Sequence, residues 1–485
     1  MSGAMTLSLA LAPLVILGGA ACLVLLVGVL GGARARGAVV WLSVLASAAT
    51  FVAAVVALPQ AGHVQPMLSD MWIADRMALV LDLVIALCTG VTVIVFHAFA
   101  KEHAFQQDEF PALVLFAAAG MVMVVHACHL VSLLVGIETM SLAAYVLVAS
   151  RYHSEQGAEG ALKYFLMGAL ASGFLVYGIA LVYGTTGGEM SLAGIASRAG
   201  QAGNNPLFII GMFLILVALL FKVAGVPFHM WLPDAYQGAP TPVTGFMAAG
   251  IKAAAFGGML RLLTSAFAQP NVALGHAGWA RILGLVAVAS MTLGNLAAIR
   301  QENIKRMLAY SSIAHAGYLL IGVTAAGFGV PGAKSTVIFY LVAYVATTLG
   351  AFTVASWVGR KGDECQNVDD WAGLARRRPA IALVMTLFML SLGGFPPTGG
   401  FFAKFYLFRA AVERPELVWL VVAAVLNSLV SVYYYLRVVT AMYFREGTQG
   451  GVAYSSWANA VVLVVLAALV LALGIMPAPF MTLVQ

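Results

Sequence analysis

The chain has 485 residues, of which 62% are hydrophobic and only 9% charged, with a formal net charge of +6 and a mean hydropathy of +0.97. Soluble domains carry about 25% charged residues, so the composition excludes a water-soluble enzyme and implies an integral membrane protein, with little chain left over for a soluble domain. The four cysteines, Cys22, Cys88, Cys128 and Cys365, lack the spacing of an iron-sulfur or zinc site and read as small apolar residues.

Apolar runs of about 20 residues are long enough to cross ~30 Å of hydrocarbon. They predict spans at 9–30, 39–58, 77–98, 111–127, 130–149, 161–184, 206–228, 242–263, 281–299, 307–326, 335–358, 380–410, 417–436 and 457–480. The fold expected is all-α, with about 14 transmembrane helices. No Lys or Arg precedes Arg34, so the first span lacks the basic start of a secretory signal and is expected to be retained. Assigned to alternate loops, fourteen basic residues fall on one side, among them Arg34, Arg151, Lys305, Arg306 and Arg437, and six on the other, among them Arg198, Arg261 and Lys334. The positive-inside rule then puts the first side in the cytoplasm and both termini outside. The net charge is topology, not a nucleic-acid surface.

Two spans are predicted to be discontinuous. The seventh contains Gly225 and Pro227, and the twelfth contains GGFPPTGG at 393–400, which no α-helix can run through. The breaks lie five spans apart, which is the pattern of two inverted five-helix repeats, and broken helices in corresponding places point to a transport site near the midplane. The expected units are a three-helix segment at 1–110, a first repeat of helices 4–8 at 111–266, a second of helices 9–13 at 267–440, and helix 14 at 441–485.

Four charges lie deep in spans: Glu138 in the fifth, Lys222 just before the seventh-span break, Lys252 in the eighth, and Lys404 just after the twelfth-span break. Each costs ~2.5–3.5 kcal/mol on insertion scales, so they are expected to face the bundle interior or internal water. Asp82 and Glu159 lie nearer span ends, which leaves Glu138 as the deep acid and predicts a Glu138–Lys222 ion pair. A lysine whose carboxylate partner can approach and withdraw can take up and release a proton. His229 and His315 are candidates to bridge the lysines, each set against an ordinary packing role, and Glu159 with Lys163 forms an i, i+4 pair whose first reading is helix stabilisation, with proton uptake secondary. GFGVPG at 327–332 matches a dinucleotide fingerprint in letters but joins two membrane helices, so it reads as a turn.

The stretches GIETMSLAAYVLVA, EGALKYFLMGALASGFLVYGIALVYG, FKVAGVPFHMWLPDAYQGAPTPVTGFMAAGIKAAAFGGMLRLL and GGFPPTGGFFAKFYLF, together spanning 136–408, resemble the antiporter-like subunits of respiratory complex I, the proton-pumping NADH:quinone oxidoreductase, and within them the N type. The resemblance implies a bacterial inner-membrane subunit with a polar axis through Glu138, Lys222, Lys252 and Lys404. Lysine at 404 matches the N and L types, whereas the M type typically has glutamate, and the lateral C-terminal helix of the L type is missing. It further implies an M-type neighbour, a small K-type neighbour, no cofactor in this chain, and NADH, FMN, iron-sulfur clusters and quinone in other subunits. Rival readings are a subunit of a multi-subunit cation/proton antiporter or membrane-bound hydrogenase, and a non-conducting structural membrane subunit. A free-standing solute transporter is disfavoured because no motif names a substrate.

Overall fold

The computed structural model describes residues 7–63, 66–103, 109–151, 154–275, 278–360, 363–447, 452–453 and 456–484. In hydrocarbon a backbone must satisfy its own hydrogen bonds, and apolar runs of this length do so as helices. The membrane helices are α1 (Leu7–Gly31), α2 (Arg36–Ala57), α3 (Arg76–Glu102), α4 (Phe110–His126), α5 (Leu130–Ala149), α6 (Glu155–Thr185), α7a (Pro206–Val223) with α7b (Trp231–Gly238), and α8 (Thr241–Ser265). They continue with α9 (Trp279–Ile299), α10 (Ile304–Gly327), α11 (Ala333–Trp357), α12a (Pro379–Gly393) with α12b (Gly399–Val412), α13 (Val418–Phe444) and α14 (Trp457–Ile475). Among the described residues twelve helices are long and apolar enough to cross a membrane, whereas α4 and α12a are apolar but shorter. The apolar stretch of α8 is wholly buried, and those of α10 and α11 almost wholly, so these form the centre. The outer faces of α1, α2, α6 and α13 present Leu26, Trp41, Leu170 and Leu429 to their surroundings, as a lipid-facing surface does.

Several expected boundaries shift. The seventh span stops at Val223 rather than 228, because the helix has already closed on Ala224. The unit boundary at 440 falls inside α13, which runs to Phe444. The last span ends at Ile475, and a short helix, Pro477–Val484, follows with its proline at the first helical position. An amphipathic helix, Leu192–Ala202, lies between α6 and α7a, capped by Ser191. A small antiparallel ribbon joins 358–360 to 363–364 and 452–453. GFGVPG is a turn, with Gly329 and Gly332 at positive φ.

Both breaks have one construction. Ala224 takes φ +58° and donates its N–H to the carbonyls of Leu220 and Phe221, while Gly225 N–H bonds Leu220 O at 2.8 Å. Gly394 takes φ +87° and donates to Leu390 and Ser391, while Phe395 N–H bonds Leu390 O at 3.0 Å. Each is a left-handed helix stop that satisfies the terminal carbonyls. Each is followed three residues later by a proline, Pro227 or Pro397.

The repeat recurs elsewhere. Gly120 packs against the α5 backbone at Gly136 and Met140, and Gly294 packs in the same way against α10 at Tyr310 and Ala314. An isolated bridge joins His129, the N-cap of α5, to Ser191, and another joins Asn303, the N-cap of α10, to Asn367. A repeat of five membrane crossings puts the second copy upside down, so these two bridges lie on opposite faces.

Candidate functional site

Lys222 occupies the last turn of α7a and is buried at 4% exposure. Its Nζ donates to Ser141 Oγ at 2.7 Å and to Tyr145 OH at 3.4 Å. The ammonium also lies over the rings of Phe221, Tyr145 and Tyr164, 5.3–5.9 Å from their centroids, a cation–π seat. Trp231 of α7b stacks on Tyr164 at 4.2 Å and ties the two halves of the broken helix by donating from Nε1 to Phe221 O at 3.1 Å.

Glu138 does not touch Lys222, which corrects the ion pair expected from the sequence. Its carboxylate accepts a hydrogen bond from Ser172 of α6. It nonetheless stands within electrostatic reach of the ammonium. Ser141, the hydroxyl that holds Lys222, follows Glu138 by three residues and so shares its face of α5. Lys222 is buried and takes the nearest hydrogen-bonding groups, and two hydroxyls are nearer to it than the opposite charge.

Lys252 follows a π-turn in α8, Met247–Ile251. Such turns concentrate at functional sites because they re-aim the next side chain. Its Nζ donates to Ser312 O at 2.6 Å and to Ser312 Oγ, while Tyr344 OH donates to the same Oγ at 2.9 Å. By the packing of Gly120 and Gly294, Ser312 is the position in α10 that matches Glu138 in α5. Lys404 of α12b donates to Gly393 O, a carbonyl at the break, at 3.0 Å and to Ser428 Oγ at 2.8 Å, and lies 4.9 Å from the Tyr318 ring centroid.

One face of α10 connects the last two lysines, through Ser312, His315 and Tyr318 at i, i+3 and i+6. The His315 Nδ1 meets Tyr340 OH at 2.7 Å and its Nε2 meets Tyr435 OH at 3.2 Å. Its ring lies 5.0 Å from that of Tyr344, which serves the Lys252 seat, and 5.7 Å from that of Tyr318, which serves the Lys404 seat. Tyr236 of α7b is buried nearby and packs edge-on against Phe352 of α11, with ring centroids 6.4 Å apart. His229 is not in this row. It lies in the α7 break, half-buried, and its Nδ1 has no hydrogen-bond partner.

Glu159 and Lys163 form the expected pair at 2.6 Å, but Lys163 also reaches Asp234 Oδ2 at 2.6 Å, and Arg306 binds the other oxygen of Asp234 at 2.7 Å. Nearby, Glu364 is enclosed by Lys305 at 3.3 Å, Arg151 at 3.4 Å and the Thr241 hydroxyl at 2.9 Å. Burial pushes the Glu364 carboxyl up, yet the charges of Lys305 and Arg151 outweigh it and hold the group below its ordinary value. Ser141, Tyr145, Ser312, Tyr344, Ser428 and Asp234 were not among the expected site residues. Periodicity alone could have raised Ser141 and Tyr145, three and seven residues after Glu138.

A helical membrane bundle with two matched broken helices and buried amines beside them defines an antiporter-like membrane subunit. The membrane family described as NADH:quinone oxidoreductase/Mrp antiporter matches residues 127–431. NADH-quinone oxidoreductase subunit N of Trichlorobacter lovleyi is 43% identical over 464 residues, covering 95% of this chain and 92% of that one. Subunit N 1 of Sorangium cellulosum is 46% identical over 414 residues, covering 84% and 81%. A chain of respiratory complex I from Thermus thermophilus superposes with a TM-score of 0.81 at 35% identity, covering 97% and 98%. A chain of the Mrp complex from Dietzia shares the fold, with a TM-score of 0.86 at 24% identity, covering 99% and 96%. The chain belongs to this family, in its branch of NADH-quinone oxidoreductase N subunits, and is a membrane subunit of that translocase.

Proposed function

We propose that this chain moves protons across the bacterial inner membrane along an axis made by Glu138, Lys222, Lys252, His315 and Lys404, driven by quinone reduction in other subunits. The observation that carries the reading is the seating of three buried lysines on hydroxyls and carbonyls, with His315 set between the second and third. An ammonium held only by neutral hydroxyls gives up its proton more readily than one facing a carboxylate. Glu138 therefore acts as the switch: turned to Lys222 it loads the lysine, and turned to Ser172, as here, it frees the proton to pass toward Lys252 and Lys404. Lys163, Glu159 and Asp234 serve proton uptake, while His229 stays outside the path. The units 1–110, 111–266, 267–440 and 441–485 follow the repeat, with the third carried on to the end of α13 at Phe444, and both termini face away from the cytoplasm. M-type and K-type subunits flank the chain, and NADH, FMN, iron-sulfur clusters and quinone bind in other chains.

The test is proton translocation by the reconstituted complex carrying Lys222→Ala or Glu138→Ala. Each variant should assemble and lose most of its coupled pumping. Full pumping by both would refute the assignment.

A further inference from the structure

Asp82, which sequence position places near the end of the third span, has 0% side-chain exposure, and so has its partner His126 at the end of α4. His126 Nε2 lies 2.8 Å from Asp82 Oδ2, and His126 Nδ1 lies 2.8 Å from the carbonyl of Ile73. A carbonyl only accepts, so Nδ1 carries a hydrogen and the second proton of the pair lies between Nε2 and Oδ2. Trp72 stacks on the imidazole at 4.3 Å and holds the ring plane. Asp82 Oδ1 is buried with no hydrogen-bond partner. A buried carboxylate oxygen left over in this way is costly unless it has a use.

The pair lies beside α8, the helix that carries Lys252. Gly257 sits five residues past Lys252, about 7.5 Å along the axis and on a different face of the helix, and a Cβ there would meet Leu81 and Val125, the chain neighbours of Asp82 and His126, at 2.5 and 3.1 Å. One turn further, Arg261 donates to Val125 O at 3.0 Å and forms two bonds to Asp75, at 2.8 and 2.7 Å. Asp75 keeps 33% of its side chain exposed. Lys334, at the start of α11, lies within electrostatic reach of Arg261 and Asp75. Along its length from Lys252, α8 therefore passes first the buried pair and then the ion pair of buried Arg261 with partly exposed Asp75, toward the end opposite Glu364 and Arg151.

We propose that Asp82 and His126 form a proton-storing pair on the release side of the first repeat, an inference that rests on the proton-moving function above. A proton released by the lysine axis binds Asp82 Oδ1, taking the pair from neutral to a net charge of +1. The pair returns to neutral when that proton passes to water beside Asp75 and Arg261. No bond other than O–H and N–H forms or breaks.

Asp82→Asn and His126→Gln keep shape and a hydrogen bond but remove the store. In reconstituted complex, with uncoupled NADH oxidation and assembly measured alongside, at least one variant should assemble, oxidise NADH at the wild-type uncoupled rate, and lose roughly two-fold or more of its proton translocation. Wild-type translocation by every variant that assembles, with Lys222→Ala still deficient, overturns the storage role and leaves the axis standing. Wild-type translocation by Lys222→Ala and Glu138→Ala as well overturns both. Failure of both isosteric variants to assemble marks the pair as a packing element and also overturns the proposal.

Discussion

At the level of single residues, the chemistry of this chain depends on hydroxyls as much as on charges. The Lys222 ammonium has Ser141 and Tyr145 where the sequence predicts a carboxylate, and Tyr145 can stand there only because residue 168 has no side chain. A Cβ on Gly168 would lie 1.9 Å from Tyr145 OH. Gly168→Ala should therefore displace the tyrosine from Lys222 and lower coupled pumping, at a stability cost of about 1–3 kcal/mol typical of overpacking, measurable as proton translocation against NADH oxidation and as a drop in melting temperature. The deep charges Glu138, Lys222, Lys252 and Lys404 were legible because charge is rare in an apolar run. Asp82 was not, because its distance from the span end says nothing about the loop Trp72–Asp75 that folds over it. His229 and His315 looked alike in the sequence, and packing alone separates a histidine held by two tyrosine hydroxyls from one left in a break.

The helix breaks are the elements that make room for the lysines. Prolines and glycines announced them, yet the stops themselves are made by the left-handed residues Ala224 and Gly394, ahead of Pro227 and Pro397. At Gly394, φ +87° suits glycine, and a Cβ would come within 3.0 Å of the Lys404 chain. Gly394→Ala should cost roughly 1–2 kcal/mol for the left-handed backbone and push Lys404 off the Gly393 carbonyl. The expected readout is lower pumping in an assembled complex, with unchanged pumping contradicting the role given to this carbonyl. The π-turn before Lys252 left no sequence signal, because one extra residue per turn leaves an apolar pattern unchanged, whereas the short helix Leu192–Ala202 carried one in its apolar spacing after Ser191.

Across the whole molecule, the two repeats are joined at one face by Glu364, which reaches Arg151 of the α5–α6 connection, Thr241 of α8 and Lys305 of α10. Its carboxyl titrates below the ordinary 4.5, so the stability it contributes is present above that value and is lost as pH falls through the lower, folded one. Glu364→Gln would leave Lys305, 2% exposed, without its counter-charge. We expect a loss of about 3 kcal/mol at neutral pH and a weaker pH dependence of the melting temperature below pH 4.5. A melting curve unchanged at neutral pH would contradict the clamp. The sequence by itself determined the membrane class, the order of the helices, the two breaks and the buried lysines, because hydrophobic length, helix-breaking residues and charge are local properties that a bilayer enforces wherever they occur. Only the tertiary structure decided which group each charge meets: Ser141 rather than Glu138 for Lys222, Ser312 for Lys252, the Gly393 carbonyl for Lys404 and His126 for Asp82. These contacts join residues as much as 81 positions apart, brought together by helix packing that no single segment encodes.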